Sequence, residues 1–152
     1  MQYPQKLTFR ILGTPGHKQS ARFTSIGGKI RSFQPNEVVK NQNTIKSVIM
    51  GQLPENFIPY GGPIKVTYDF IYMPLKSFSK KLLNRIESGE VIYKTTKPDT
   101  DNLIKMHKDA MNNMVYIDDA QVCVERPSKY FGINPMTIIT VYFIPKQIWS
   151  LF

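Results

Sequence analysis

One cysteine, two histidines and eleven acidic residues make up a small share of this 152-residue chain, and each scarcity excludes something. Cys123 stands alone, so no intrachain disulfide exists and nothing signals an oxidising compartment. One cysteine with His17 and His107 falls short of the four ligands of a usual structural zinc site. No apolar run approaches the ~20 residues needed to span a bilayer. The opening MQYPQKLTFR lacks the apolar core of a signal peptide. The expectation is an intracellular, soluble protein.

What the chain does have is apolar mass and positive charge. Hydrophobic residues make up 41% and aromatics 12%, which suits a globular fold. The length suits one domain over residues 1–152, large enough to bury a core without staples. Twenty Lys and Arg oppose the eleven acids, giving a formal net charge of +9. That balance points to a polyanionic partner, whether DNA, RNA or an anionic membrane surface, without choosing among them.

Periodicity predicts the elements. LTFRIL at 7–12 opens a strand. ARFTSIGGKIRSF at 21–33 sets two β-prone runs around Gly27-Gly28, a hairpin. Pro35 begins a helix to about residue 50, burying Val38, Ile45, Val48 and Ile49. IKVTYDFIY at 64–72 alternates most cleanly, with Ile64, Val66, Tyr68, Phe70 and Tyr72 on one face. Ser77 or Ser79 caps a short helix ending near Gly89. Strands follow at about 120–130 and 136–144; the last, MTIITVYFI, is apolar on both faces and belongs inside the sheet. The order predicts an α+β domain with a mixed sheet.

The acids are not spread evenly. Residues 97–122, KPDTDNLIKMHKDAMNNMVYIDDAQV, hold Asp99, Asp101, Asp109, Asp118 and Asp119. From Asp101 to Met114 the apolar residues Leu103, Ile104, Met106, Ala110, Met111 and Met114 recur at helical spacing. Asp101, Lys105, Asp109 and Asn112 fall on the opposite face. Pro98 keeps residue 97 extended, and Thr100 or Asp101 serves as the cap. Aspartates at a helix start favour the macrodipole, and an Asp pair in a turn is ordinary. Three carboxylates converging there repel one another, however, and a divalent cation with hard oxygen ligands removes that cost.

Spacing disposes of two named alternatives. An EF-hand loop from Asp99 needs Gly sixth and Glu twelfth, where this chain has Ile104 and Ala110. A restriction-nuclease pattern needs an acid two positions before a lysine, and no Asp or Glu here is so placed.

The segment resembles the signature of the RusA family of Holliday junction resolvases: Asp-x-Asp-Asn-Leu-x-Lys, then Asp-Ala and Asn, then Asp-Asp-x-Gln-Val. The match runs from Lys97 to Val122. GHKQSARF at 16–23 is similar to the family's basic N-terminal stretch but lacks its proline. The resemblance implies a RusA-like fold and a Mg²⁺-dependent, homodimeric endodeoxyribonuclease, with Mn²⁺ as a substitute ion, of a type frequent in phages and prophages. It implies a cytoplasmic protein of a bacterial cell. It assigns catalytic roles to Asp99, Asp101, Lys105 and Asp119, with Asp99, Asp101 and Asp119 as metal ligands. Asn102 and Asp109 match signature positions of less settled role, and Asp118 either supports the metal or shapes the turn. Chemistry agrees: phosphodiester hydrolysis needs an activated water and a stabilised leaving oxygen. A lysine one turn from Asp101 suits the place where negative charge grows, although a helix-face lysine paired with Asp101 and Asp109 is the plainer alternative.

Candidate DNA contacts are Lys18, Arg22, Lys29 and Arg31 on and around the hairpin, and Lys97 at the entrance to the acidic segment. Phe23 and Phe33 between them are either core or contact residues. Lys76, Lys80, Lys81 and Arg85 form a second basic group, either phosphate-binding or simply solvated. The tail PKQIWSLF carries Ile148, Trp149, Leu151 and Phe152, which pack on the body or on a dimer mate. A weaker reading likens the tail to a sliding-clamp docking peptide, with Gln147 one residue out of place. The partners expected are branched DNA and a second copy of the chain. The rival readings are a nuclease of forks or flaps, and a non-catalytic DNA-binding module with a structural ion. Carboxylates facing phosphates argue against the module.

Overall fold

The computed structural model describes residues 2–17, 22–33 and 36–145. Expectations resting on Lys18, on Pro35, on the tail from Gln147 to Phe152 and on the side chains of Arg22, Phe23 and Phe33 lie outside what is described. In chain order the elements are β1 (Lys6–Leu12), β2 (Arg22–Ile26), β3 (Lys29–Phe33), α1 (Asn36–Gln52), β4 (Ile64–Tyr72), α2 (Lys80–Glu87), β5 (Ile92–Tyr93), α3 (Thr100–Met111), a 3₁₀ turn (Asp119–Gln121), β6 (Val122–Phe131) and β7 (Met136–Phe143). The class is α+β, as the pattern predicts. No helix among the described residues is long and apolar enough to cross a membrane.

Two sheets form. The larger has strand order β1-β7-β4-β6-β5 and the smaller is the β2-β3 hairpin. β4 sits centrally because its alternation is complete: Ile64, Val66, Tyr68, Phe70 and Tyr72 are all buried, while Lys65, Thr67, Asp69 and Ile71 face the other way and are half-buried. β7 lies inside the sheet between β1 and β4, as its apolar composition requires. β4 runs antiparallel to β7 but parallel to β6, so the sheet is mixed. A parallel pair needs a long crossover, and here the crossover contains α2, β5 and α3. That connection carries the acidic segment.

α1 and α3 pack on each other, with α1 against β1 and α3 against β6. Val38, Ile45 and Ile49 of α1 and Leu103, Met106, Ala110 and Met111 of α3 are buried there. α1 also serves the sheet edge. Gln52 accepts from the Arg10 amide at 2.9 Å and donates to the Arg10 carbonyl at 2.7 Å, blunting the edge strand β1. In the hairpin, Gly27 and Gly28 take φ of 59° and 76°, the pair of positive values that a two-residue turn of matching twist requires.

β5 and the two ends of α3 differ from expectation, each for a local reason, while the α2 cap falls within it. β5 has two residues and exists only through pairing with β6, so no period could announce it. α3 begins one residue earlier than expected and its cap is Asp99, not Thr100 or Asp101. It ends at Met111 because Asn113 takes φ of 60°, a left-handed conformation that Asn tolerates. Of the two candidate caps for α2, Ser79 acts, accepting from the Leu82 amide at 3.2 Å.

Candidate active site

β5 leads into a short segment that runs over β6 and delivers the chain to α3. Lys94 continues the β5 pairing by donating its amide to the Lys129 carbonyl at 2.9 Å. Its ammonium bonds Thr96 Oγ1 at 2.5 Å and lies 5.2 Å from the Tyr72 ring centroid. Asp99 then caps α3 in extended backbone, yet its side chain makes no capping bond. The carboxylate is instead held by Lys97, Nζ to Oδ2 at 2.8 Å. Both side chains are open to solvent, Lys97 at 84% and Asp99 at 50%. The Lys97 hydrogen bond holds the Asp99 carboxyl below the usual carboxylate range, and the charge of Lys129 adds to this. Asp99 and, more weakly, Asp101 raise Lys97 in return.

Asp101 lies exposed in the first turn of α3 and Lys105 exposed one turn on. Asp109 follows after another turn. Eight residues separate Asp101 from Asp109, about 12 Å of helix rise.

The remaining acids lie in the turn before β6. Asp118 closes the 3₁₀ turn with a reciprocal box: its Oδ1 accepts from the Ala120 amide at 3.0 Å, and Gln121 Oε1 accepts from the Asp118 amide at 2.8 Å. Gln121 Nε2 then donates to the Tyr60 and Gly62 carbonyls, both at 2.8 Å, fixing the turn beside the start of β4. Of the two roles open to Asp118, the hydrogen bonds show the turn-shaping one. Asp119 shares a hydrogen bond with Asp118, and the two split: the Ala120 amide draws Asp118 down, while desolvation and the neighbouring carboxylate push Asp119 up. Lys108 opposes that rise and Asp109 adds to it, so both face Asp119. The Lys108 ammonium also pairs with Glu125 of β6 at 2.8 Å.

Asp99 and Asp101 thus stand at the start of α3, and Asp118 and Asp119 in the capped turn before β6, where Lys108 and Asp109 act on Asp119. Among the described residues no group of three or more His, Cys, Asp or Glu is gathered closely enough to hold a metal ion. Mg²⁺ nevertheless keeps several waters and takes only one or two protein carboxylates beside substrate phosphates. A half-exposed, ionised Asp99 beside Asp101 suits that open kind of site.

The basic groups sort differently. Lys29 and Arg31 are exposed on β3, and Arg22 belongs to β2. Arg85 is committed to Glu90, Nε to Oε2 at 2.7 Å, which removes it from the second basic group. His107 is core: fully buried, its Nδ1 lies 2.7 Å from the Leu103 carbonyl and its ring 5.3 Å from Phe70. Sequence reasoning missed Lys94 as part of the loop framework, and Glu125 and Lys129 altogether. A basic residue before the motif was a signal for Lys94; for the other two no local pattern existed.

The chain is similar to known proteins. The uncharacterized protein YqaN of Bacillus subtilis (strain 168) is 30% identical over 138 residues, covering 89% of this chain and 94% of that protein. A family model described as endodeoxyribonuclease RusA matches residues 13–142, a span that takes in the hairpin, the large sheet from the end of β1 onward and both acid groups. The chain belongs to the RusA endodeoxyribonuclease family.

Proposed function

We propose that this protein is a Mg²⁺-dependent, structure-selective endodeoxyribonuclease that resolves Holliday junctions by paired phosphodiester hydrolysis during recombination and repair. Family membership gives the coarser activity, an endodeoxyribonuclease. The observation that carries the finer reading is Asp99. A helix cap that withholds its carboxylate from the helix, keeps it ionised and leaves it half-exposed beside Asp101 is placed for a ligand rather than for the fold.

Asp99, Asp101 and Asp119 are the residues that would hold Mg²⁺, with Mn²⁺ as a substitute. Such an ion supplies an activated water and neutralises charge on the phosphate. Lys105, exposed one turn from Asp101, faces solvent where an anionic transition state gains most from a cation. Lys18, Arg22, Lys29, Arg31 and Lys97 supply contacts to the sugar-phosphate backbone, which position DNA without reading its sequence. A four-way junction needs two symmetric cuts, and a C₂ dimer supplies two sites with the matching symmetry.

The test incubates the protein with a synthetic four-way junction, a fork, a flap and a linear duplex, with and without Mg²⁺. Paired nicks in the junction alone, only with Mg²⁺, are expected, and sedimentation should give a dimer mass. Preferential cutting of forks or flaps would replace the junction reading. Binding without cleavage of any substrate would reduce the protein to a DNA-binding module.

A further inference from the structure

The segment that presents Asp99 has few fastenings of its own. It is two residues of strand followed by an irregular run that bends at residues 96–98, and Asp99 spends no hydrogen bond on capping the helix behind it. Its position is nevertheless set from outside. Lys129 reaches up from β6 and donates to two backbone carbonyls of the segment, Thr96 O at 2.6 Å and Pro98 O at 2.8 Å.

We propose that Lys129 is a positioning residue for the acidic site, clamping the Thr96 and Pro98 carbonyls so that Asp99 and Asp101 meet a divalent cation in a fixed arrangement. The inference rests on the reading of Asp99 and Asp101 as metal ligands given above.

Three features support the assignment. The two carbonyls flank residue 97, so one ammonium fixes the backbone immediately before the Asp-x-Asp motif from both sides. Lys129 stands opposite Phe70 in the pairing of β6 with β4, the centre of the sheet, so its anchor is among the most rigid places in the molecule. Lys94, on the same segment, lies over the Tyr72 and Phe131 rings at 5.2 and 5.9 Å and braces the other end. A charged donor to a neutral carbonyl makes a stronger hydrogen bond than a neutral pair, and two from one group fix direction as well as distance. With two of its three donors on the backbone, Lys129 acts on the segment that presents Asp99 rather than on the DNA. Groups behind the ligands of a metal site act in this way, and their loss typically costs 10–100-fold in metal affinity.

The probe is Mn²⁺, followed by electron paramagnetic resonance in the full-length protein without DNA. Lys129→Met should weaken Mn²⁺ binding by about 10–100-fold, while metal-free junction binding stays at the wild-type level. Raising Mn²⁺ should recover much of the cleavage rate, so the defect lies in the metal requirement rather than in the rate at saturation. Lys129→Arg, whose guanidinium can donate to both carbonyls, should restore most of the affinity. If Lys129→Met does not fold, Lys129→Gln and Lys129→Arg carry the same comparison. Wild-type protein that binds no Mn²⁺ overturns the metal reading, and this inference with it. Wild-type protein that binds Mn²⁺, beside a folded Lys129→Met or Lys129→Gln that binds it equally well, overturns this inference alone.

Discussion

The Lys108 ammonium lies 2.8 Å from a Glu125 carboxylate oxygen, joining the last turn of α3 to β6 with both side chains about a quarter exposed. The pair holds the carboxyl end of the acidic helix against the sheet, close to Asp119. Removing one partner strands the other in a half-desolvated place. Lys108→Met should lower stability by about 1–2 kcal/mol, less than the loss of a fully buried pair because solvent still reaches both groups. Replacing both, as Lys108→Met with Glu125→Leu, should recover most of that loss in urea unfolding. A double variant less stable than the single one would contradict this account.

Charge and ligation at the acids should separate from DNA binding. Asp101→Asn and Asp119→Asn keep side-chain size but each removes one proposed anionic ligand. Junction cleavage in Mg²⁺ should fall by orders of magnitude, since the ion both activates water and stabilises charge. Metal-free junction binding should persist or tighten, because a negative charge facing phosphates has gone. Asp109→Asn, two turns along the helix from Asp101, should be milder. Near-wild-type cleavage by both principal variants, or parallel loss of binding and cleavage in folded protein, would sink the assignment.

The exposed cations of the hairpin should reveal themselves through salt. If Lys29 and Arg31 each contact a phosphate, the double Ala variant should flatten the log-log salt dependence of duplex-arm binding by about 1.8. Affinity should drop for all sequences alike. An unchanged slope, measured by fluorescence anisotropy across a salt series, would return both to the solvated surface.

His107 gives a pH dependence with a definite sign. Burial pushes its imidazole down from 6.5 to about 4, against the weaker opposing effect of the Leu103 carbonyl. Between those values the unfolded chain binds a proton that the folded one refuses, so stability rises with pH. The contribution is complete above about 6.5 and is lost as pH falls towards 4, by roughly 3 kcal/mol in all. His107→Phe, which keeps a ring against Phe70, should flatten urea-unfolding stability over that interval. A slope that survives the substitution would place its origin in other groups.

The parts of this molecule that announce themselves in sequence are those with a period. β4 displays its buried face in five alternating residues, and α3 displays its own in Leu103, Met106, Ala110 and Met111. The Gly27-Gly28 turn is local chemistry and was equally legible. The family signature named Asp99, Asp101, Lys105 and Asp119 but carried no geometry, so the capped turn that holds Asp118 and Asp119 came only from the fold. β5 and the roles of Lys129 and Glu125 depend on which strand lies beside which. Lys129 acts on the carbonyls of Thr96 and Pro98, atoms present in every residue, and therefore leaves no mark on the identity of its partners.

The attachment of Gln121 to the Tyr60 and Gly62 carbonyls spans 61 and 59 residues of chain. Those bonds hold the turn that carries Asp118 and Asp119, and the parallel pairing of β4 with β6 begins directly after it. Contacts so distant along the sequence are entropically costly to close and tend to form late. Asp99 and Asp101 can travel with their own helix, but Asp119 reaches its place only when the crossover is complete. A growing chain on the ribosome thus carries all the basic residues of the hairpin long before its acids are assembled.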